Sequence, residues 1–174
     1  MILETLDLLA DWLNDPTNGV NAKLAAVPRS GTDTVPPDLA LIVAETRDFG
    51  AALGQLPDQD ADYPCLLVSQ SGDGSQFDPH AKQGVRDAEI DVLIRYGAKE
   101  AQAAKGSRDA LYTFRAVQRS VEAWMESVEA NRERNGIYVW FCTSMVVLSV
   151  WQQGEGKVVT CAMRLRFKVR DTAP

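Results

Sequence analysis

Residues 85–96 read VRDAEIDVLIRY, and this stretch decides the fold class. Ala88, Ile90, Val92 and Ile94 alternate with Asp87, Glu89 and Asp91. A period of two residues puts the apolar set on one face of a strand and the carboxylates on the other. The chain ends on a second copy of this pattern with the opposite sign. Met163, Leu165, Phe167 and Val169 alternate with Arg164, Arg166, Lys168 and Arg170. Strands that are apolar on one side only belong to antiparallel sheets, because parallel strands are buried on both faces. If the two strands are neighbours, within a subunit or across an interface, the acidic stripe and the basic stripe pair side by side. These seven charged residues are the candidate interface residues of the chain.

Working outward, Leu39–Glu45 (LALIVAE) and Tyr63–Gln70 (YPCLLVSQ) are apolar runs of strand length, the second entered through Pro64. Ile137–Gln152 contains one long strand or two shorter ones, and the turn QQGEGK leads into the last strand, Val158–Val169. Two segments carry helical spacing. Leu3, Leu6, Leu9, Ala10 and Leu13 recur at steps of three and four, and Asn14, Asp15 and Pro16 close that helix. Ala110, Phe114, Val117, Val121, Trp124, Met125 and Val128 form a broad apolar stripe on a helix opened by Ser107 or Asp109, with Arg115, Gln118, Arg119 and Glu122 facing away. A short helical piece fits Val20–Val27, and Asp48–Pro57 reads as irregular. Pro, Gly, Asp and Ser place long loops at about 28–38 and 71–84. There are too few helices to cover both faces of a parallel sheet. The expected architecture is a single α+β domain over 1–174: a mainly antiparallel sheet, two principal helices on one face, and a long C-terminal hairpin.

Composition limits what such a domain does. The chain has 174 residues and a net charge of -6, which argues against coating nucleic acid through a broad basic surface. Cys65, Cys142 and Cys161 show no metal-type spacing and read as thiols in a reducing compartment. The longest apolar stretch, Ile137–Trp151, is too short for a transmembrane helix, and the acidic start MILETLDLLADWLND is unlike a signal peptide. The reading is a soluble, intracellular protein.

Chemistry-bearing motifs are sparse. The single histidine, His80, stands in a loop with Asp73 and Asp78, whose spacing matches no hard-ion loop. Gly72-Asp73-Gly74 is a poor phosphate cradle beside its acidic neighbours. A metal-dependent enzyme working through Asp87, Glu89, Asp91 or the His80 loop is the enzymatic alternative; the basic stripe as a phosphate track is the nucleic-acid one. Neither is preferred. No catalytic, metal or cofactor residue is assigned, and Trp12, Trp124, Trp140 and Trp151 are read as core or interface residues.

The order of elements carries a resemblance. An amphipathic helix (ETLDLLADWLN) is followed by YPCLLVSQS, a polar loop and RDAEIDVLIRYGAK. The helix ALYTFRAVQRSVEAWM and a hairpin ending in AMRLRFKVRD complete it. This order resembles the tail-terminator and tail-completion proteins of long-tailed bacteriophages, found at the head–tail junction. The resemblance implies a virion protein made in the host cytoplasm, a hexameric ring that caps the tail tube and meets the head connector. Its partners would be copies of itself, the major tail tube protein, a head-side neck protein and genomic DNA threading the lumen without sequence readout. It implies no enzymatic activity, no cofactor and no membrane. Another neck, tube or baseplate subunit of related fold is the neighbouring alternative.

Overall fold

The computed structural model describes residues 2–44, 64–77, 85–96, 103–127, 137–153 and 159–171. The chain opens with α1 (Ile2–Leu13), whose Leu6, Leu9 and Leu13 are fully buried. Burial of each such side chain is worth about 1.5–3 kcal/mol. Asp15 ends the helix by accepting the backbone N–H groups of Thr17 at 2.9 Å and Asn18 at 2.7 Å. The chain then doubles back so tightly that a Cβ on Gly19 would lie 2.4 Å from the Asp15 carbonyl oxygen. This close approach explains why glycine stands there. The short α2 (Val20–Leu24) follows. Its Asn21 clamps Leu39 from both sides, accepting the Leu39 N–H at 2.8 Å and donating to the Leu39 carbonyl at 3.0 Å. Those bonds aim the chain into the first strand.

Five strands form one sheet: β1 (Leu41–Ala44), β2 (Cys65–Phe77), β3 (Val85–Tyr96), β4 (Ile137–Gln153) and β5 (Val159–Asp171). Their spatial order is β1-β2-β3-β5-β4, and only the β1–β2 pair is parallel. The third helix, α3 (Ala103–Glu126), lies in sequence between β3 and β4. It packs near β4, whereas α1 packs on β1 and β2 and α2 packs on α3. The α+β class and the mainly antiparallel sheet are as the alternating strands predict.

The core lies between the helices and one face of the sheet. Leu66, Val68, Ile90, Val92, Ile94, Met163, Leu165 and Phe167 meet Leu9, Leu13, Phe114, Val117 and Val121 in one buried cluster. Aromatic rings tie the layers together. Trp12 stacks on Trp124 with centroids 6.3 Å apart, and Trp124 meets Phe167 edge-on at 5.7 Å. The Trp12 indole donates to the Ser120 carbonyl at 2.7 Å, so the half-buried ring keeps its polar handle satisfied. Of the four tryptophans, the side chains of Trp140 and Trp151 are outside the described residues.

Two boundaries differ from expectation, and one open alternative is settled. The loop expected over 71–84 begins later, because β2 runs on through Phe77. Gln70 pairs with Ile90 but Ser75 pairs with Ala88, so five steps on β2 match two on β3. That bulge absorbs the Gly-Asp-Gly stretch, and pairing with β3 overrides its low strand propensity. Residues 78–84 lie outside the described residues. The helix expected from Ser107 or Asp109 starts a turn earlier at Ala103, since Ala103, Ala104 and Lys105 are good helix formers. Residues 137–153 form one strand rather than two, with four register slips against β5. The segments 48–57 and 128–136 lie outside the described residues.

Candidate functional site

The pairing of β3 with β5 builds the candidate site. Its register sets Asp87 opposite Lys168, Glu89 opposite Arg166 and Asp91 opposite Arg164. The two stripes therefore meet within one subunit, on the face turned away from the helices. Arg164 grips Asp91 with two parallel bonds, Nε to Oδ1 at 2.8 Å and Nη2 to Oδ2 at 3.2 Å. Its Nη1 also lies 3.8 Å from Glu89 Oε2. Arg166 Nη2 donates to Glu89 Oε1. Lys168 Nζ sits 2.8 Å from Asp87 Oδ1. Arg170 falls opposite Val85 in the register, one step beyond the acidic stripe.

The ladder is unevenly sunk. Glu89 is 6% exposed while the Arg166 over it is 51% exposed. A buried carboxylate needs cations close by, and Glu89 has two. The arginines stay half in water on their long stems. Beside them, Val146 on β4 faces Arg164 and is itself exposed. Toward the other end of the same face, Cys65, Leu67 and Arg95 are buried.

Each carboxylate of the ladder faces a cation, so this is a charge-balanced surface rather than an open carboxylate pair. Among the described residues, no cluster of three or more His, Cys, Asp or Glu side chains is placed to hold a metal. Asp78 and His80 are outside the described residues, and Asp73 falls within β2. All three cysteines are free thiols. Cys65 and Cys161 are buried and Cys142 is half-buried. Burial pushes the Cys161 thiol up to about 12 and raises that of Cys142, which keeps both protonated and unreactive at neutral pH. No helix among the described residues is long and apolar enough to cross a membrane.

A second polar constellation lies on the helix side, where the sequence offers no motif. The Asp33 carboxylate accepts from the Tyr112 hydroxyl at 2.7 Å and from Arg108 at 3.0 Å. The same hydroxyl accepts the Ser30 backbone N–H at 3.1 Å. Gly31 holds the turn with φ +57°, in the region glycine favours. The hydrogen bond from Tyr112 and the nearby Arg108 hold the Asp33 carboxyl below its ordinary value, against a smaller opposing push from desolvation. Together these groups latch the loop after α2 onto α3 and line a solvent-open hollow of about 460 Å³. The signal for this latch is three-dimensional, since 79 residues separate Asp33 from Tyr112.

No protein-family model and no curated protein matches the sequence.

Proposed function

We propose that this chain is a structural virion protein of a long-tailed bacteriophage, a ring that closes the end of the tail tube and joins it to the head connector. The observation that carries the reading is the two-faced sheet: helices cover one side, and the centre of the other bears a charge-balanced ladder, half-buried with Arg166 at its exposed edge. The order of elements is the one that resembles tail-terminator proteins. The ladder itself, where three carboxylates meet three cations, has little net charge to hold a phosphate backbone. Such a wall suits a passage through which DNA moves without sticking. In a ring each copy meets the next head to tail, so one chain must offer two different surfaces.

Negative-stain microscopy and light scattering on the purified chain test this. The expected result is a closed ring of six 19.1 kDa copies, about 115 kDa, alone or on the ends of isolated tail tubes. A protein that stays monomeric at high concentration and never associates with tubes sinks the proposal. Rings stacked along the tube, or found at its far end, reassign the chain to a tube or baseplate role.

A further inference from the structure

The chain is acidic overall, yet one patch of the helix layer carries exposed arginines that no carboxylate among the described residues pairs with. Leu111, Arg115 and Arg119 lie four residues apart along α3, and all three are exposed. That spacing puts them in one row on the helix surface. Arg29 joins the row from the loop after α2. Its Nη1 donates to the Ala25 carbonyl at 3.2 Å and the Val27 carbonyl at 3.3 Å. Arg119 Nη1 donates to the Ala26 carbonyl, between those two, at 2.9 Å. Both guanidinium groups are thus docked on the same backbone turn. Arg115 lies 6.0 Å from the centre of the Tyr112 ring, the ring whose hydroxyl closes the Asp33 latch.

These cations are anchored but not neutralised. The carboxylate latch engages Arg108, whereas none of Arg29, Arg115 and Arg119 has a carboxylate within ion-pair distance among the described residues. A guanidinium carries five N–H donors. Arg29 uses one of its nitrogens on carbonyls, and so does Arg119, so each keeps donors for a carboxylate or phosphate. Because carbonyls and a ring already hold the heads, little side-chain entropy remains to be lost when an anion arrives. Leu111 is 44% exposed within the row, and Val35, two residues from the latch, is 45% exposed.

We propose that this face docks an acidic segment of a partner protein, one with apolar side chains set among its carboxylates. Charge complementarity selects an acidic occupant: Arg29 and Arg119 dock on one turn, Arg115 stands one helical turn from Arg119, and none of the three meets a carboxylate among the described residues. The exposed Leu111 and Val35 select protein over nucleic acid, because a phosphate backbone offers apolar side chains nothing to pack against. The surface is on the helix side, away from the ladder, and stands whether or not the chain forms rings.

The test is a display library of random peptides selected on the full chain, with affinities of the selected peptides read by fluorescence anisotropy. Selected peptides should be rich in Asp and Glu with interspersed Leu or Phe, and should weaken as salt rises. The double variant Arg115→Glu/Arg119→Glu should lose at least tenfold in affinity. Arg119 also holds the Ala26 carbonyl, so Arg115→Glu combined with Leu111→Ser, where neither residue anchors the loop, serves if the first variant fails to fold. Circular dichroism checks folding, and this second variant should likewise lose about tenfold. Failure to enrich any peptide, peptides without net negative charge, or equal binding by a folded variant each overturns the proposal. Tighter binding of a short DNA duplex than of the selected peptides overturns it in favour of nucleic acid.

Discussion

Strands β3 and β5 present two faces built from the same two runs of sequence, and the faces do different work. On the helix side Ile90, Val92, Leu165 and Phe167 are fully buried. On the other side Asp87, Glu89 and Asp91 meet Lys168, Arg166 and Arg164. The apolar face supplies stability but is tolerant of register, since any slip by two residues keeps its parity. A slip by one inverts both faces and is forbidden by burial alone. Slips by two are where the ladder matters. In one direction Asp91 comes opposite Ala162 and loses its cation, and Lys168 comes opposite Val85. In the other, Arg164 comes opposite Leu93, but Arg170, Lys168 and Arg166 then face Asp87, Glu89 and Asp91, so every carboxylate keeps a cation. Hydrophobic burial thus selects the face, and the ion pairs weigh against one of the two slips that burial leaves open.

The largest expected effect tests the apolar side. Phe167→Ala removes a fully buried ring that also meets Trp124, and should cost about 3–5 kcal/mol in urea unfolding. Next is Glu89, the deepest member of the ladder. Glu89→Ala strips the carboxylate from two arginines that are 30% and 51% exposed. Arg164 keeps Asp91 and Arg166 can return to water, so the cost should be about 1–2 kcal/mol rather than the larger penalty of a sealed pair. If Glu89→Ala proves as costly as Phe167→Ala, the division of labour between the faces fails.

Much of this arrangement is legible in the sequence because alternation is a local signal. Val85–Tyr96 is a strand with the predicted bounds, and the opposite signs of the two stripes make them partners if the strands are neighbours. Sequence leaves open whether the partner strand belongs to the same chain; the β3–β5 register answers that for six of the seven residues and sets Arg170 opposite Val85. Ser71–Phe77 is misread as loop because its glycines and polar residues gain strand geometry only from β3. The Asp33 latch and the Arg29–Arg115–Arg119 patch leave no trace in the one-dimensional pattern. Arg115 and Arg119 read correctly as outward-facing, but their convergence with Arg29 depends on how α2 docks against α3.

A sharper test of the ladder exchanges charges rather than deleting them. Lys168→Asp alone should destabilise, because it sets two carboxylates opposite each other. Adding Asp87→Lys should recover most of the loss, with a coupling of about 1 kcal/mol or less, as half-exposed pairs give. Both the coupling and the recovery should shrink in high salt. Additive behaviour of the two changes, measured by denaturation of all four members of the cycle, would remove pairing as the reason for this register.

The smallest effect lies outside the sheet, at the loop latch, and it asks whether a single surface carboxylate also counts toward stability. The folded Asp33 carboxyl is held below its ordinary value of 3.8 by the Tyr112 and Arg108 donors. A lowered folded value means the unfolded chain binds the proton more readily. The latch therefore contributes fully above that ordinary value and fades as pH falls through the lower, folded one. Asp33→Asn should be slightly less stable than the parent at neutral pH, and the gap should close in strong acid. A gap that stays constant down to that range, or no gap at neutral pH, would mean the bonds to Tyr112 and Arg108 do not distinguish the charged carboxylate from a neutral amide.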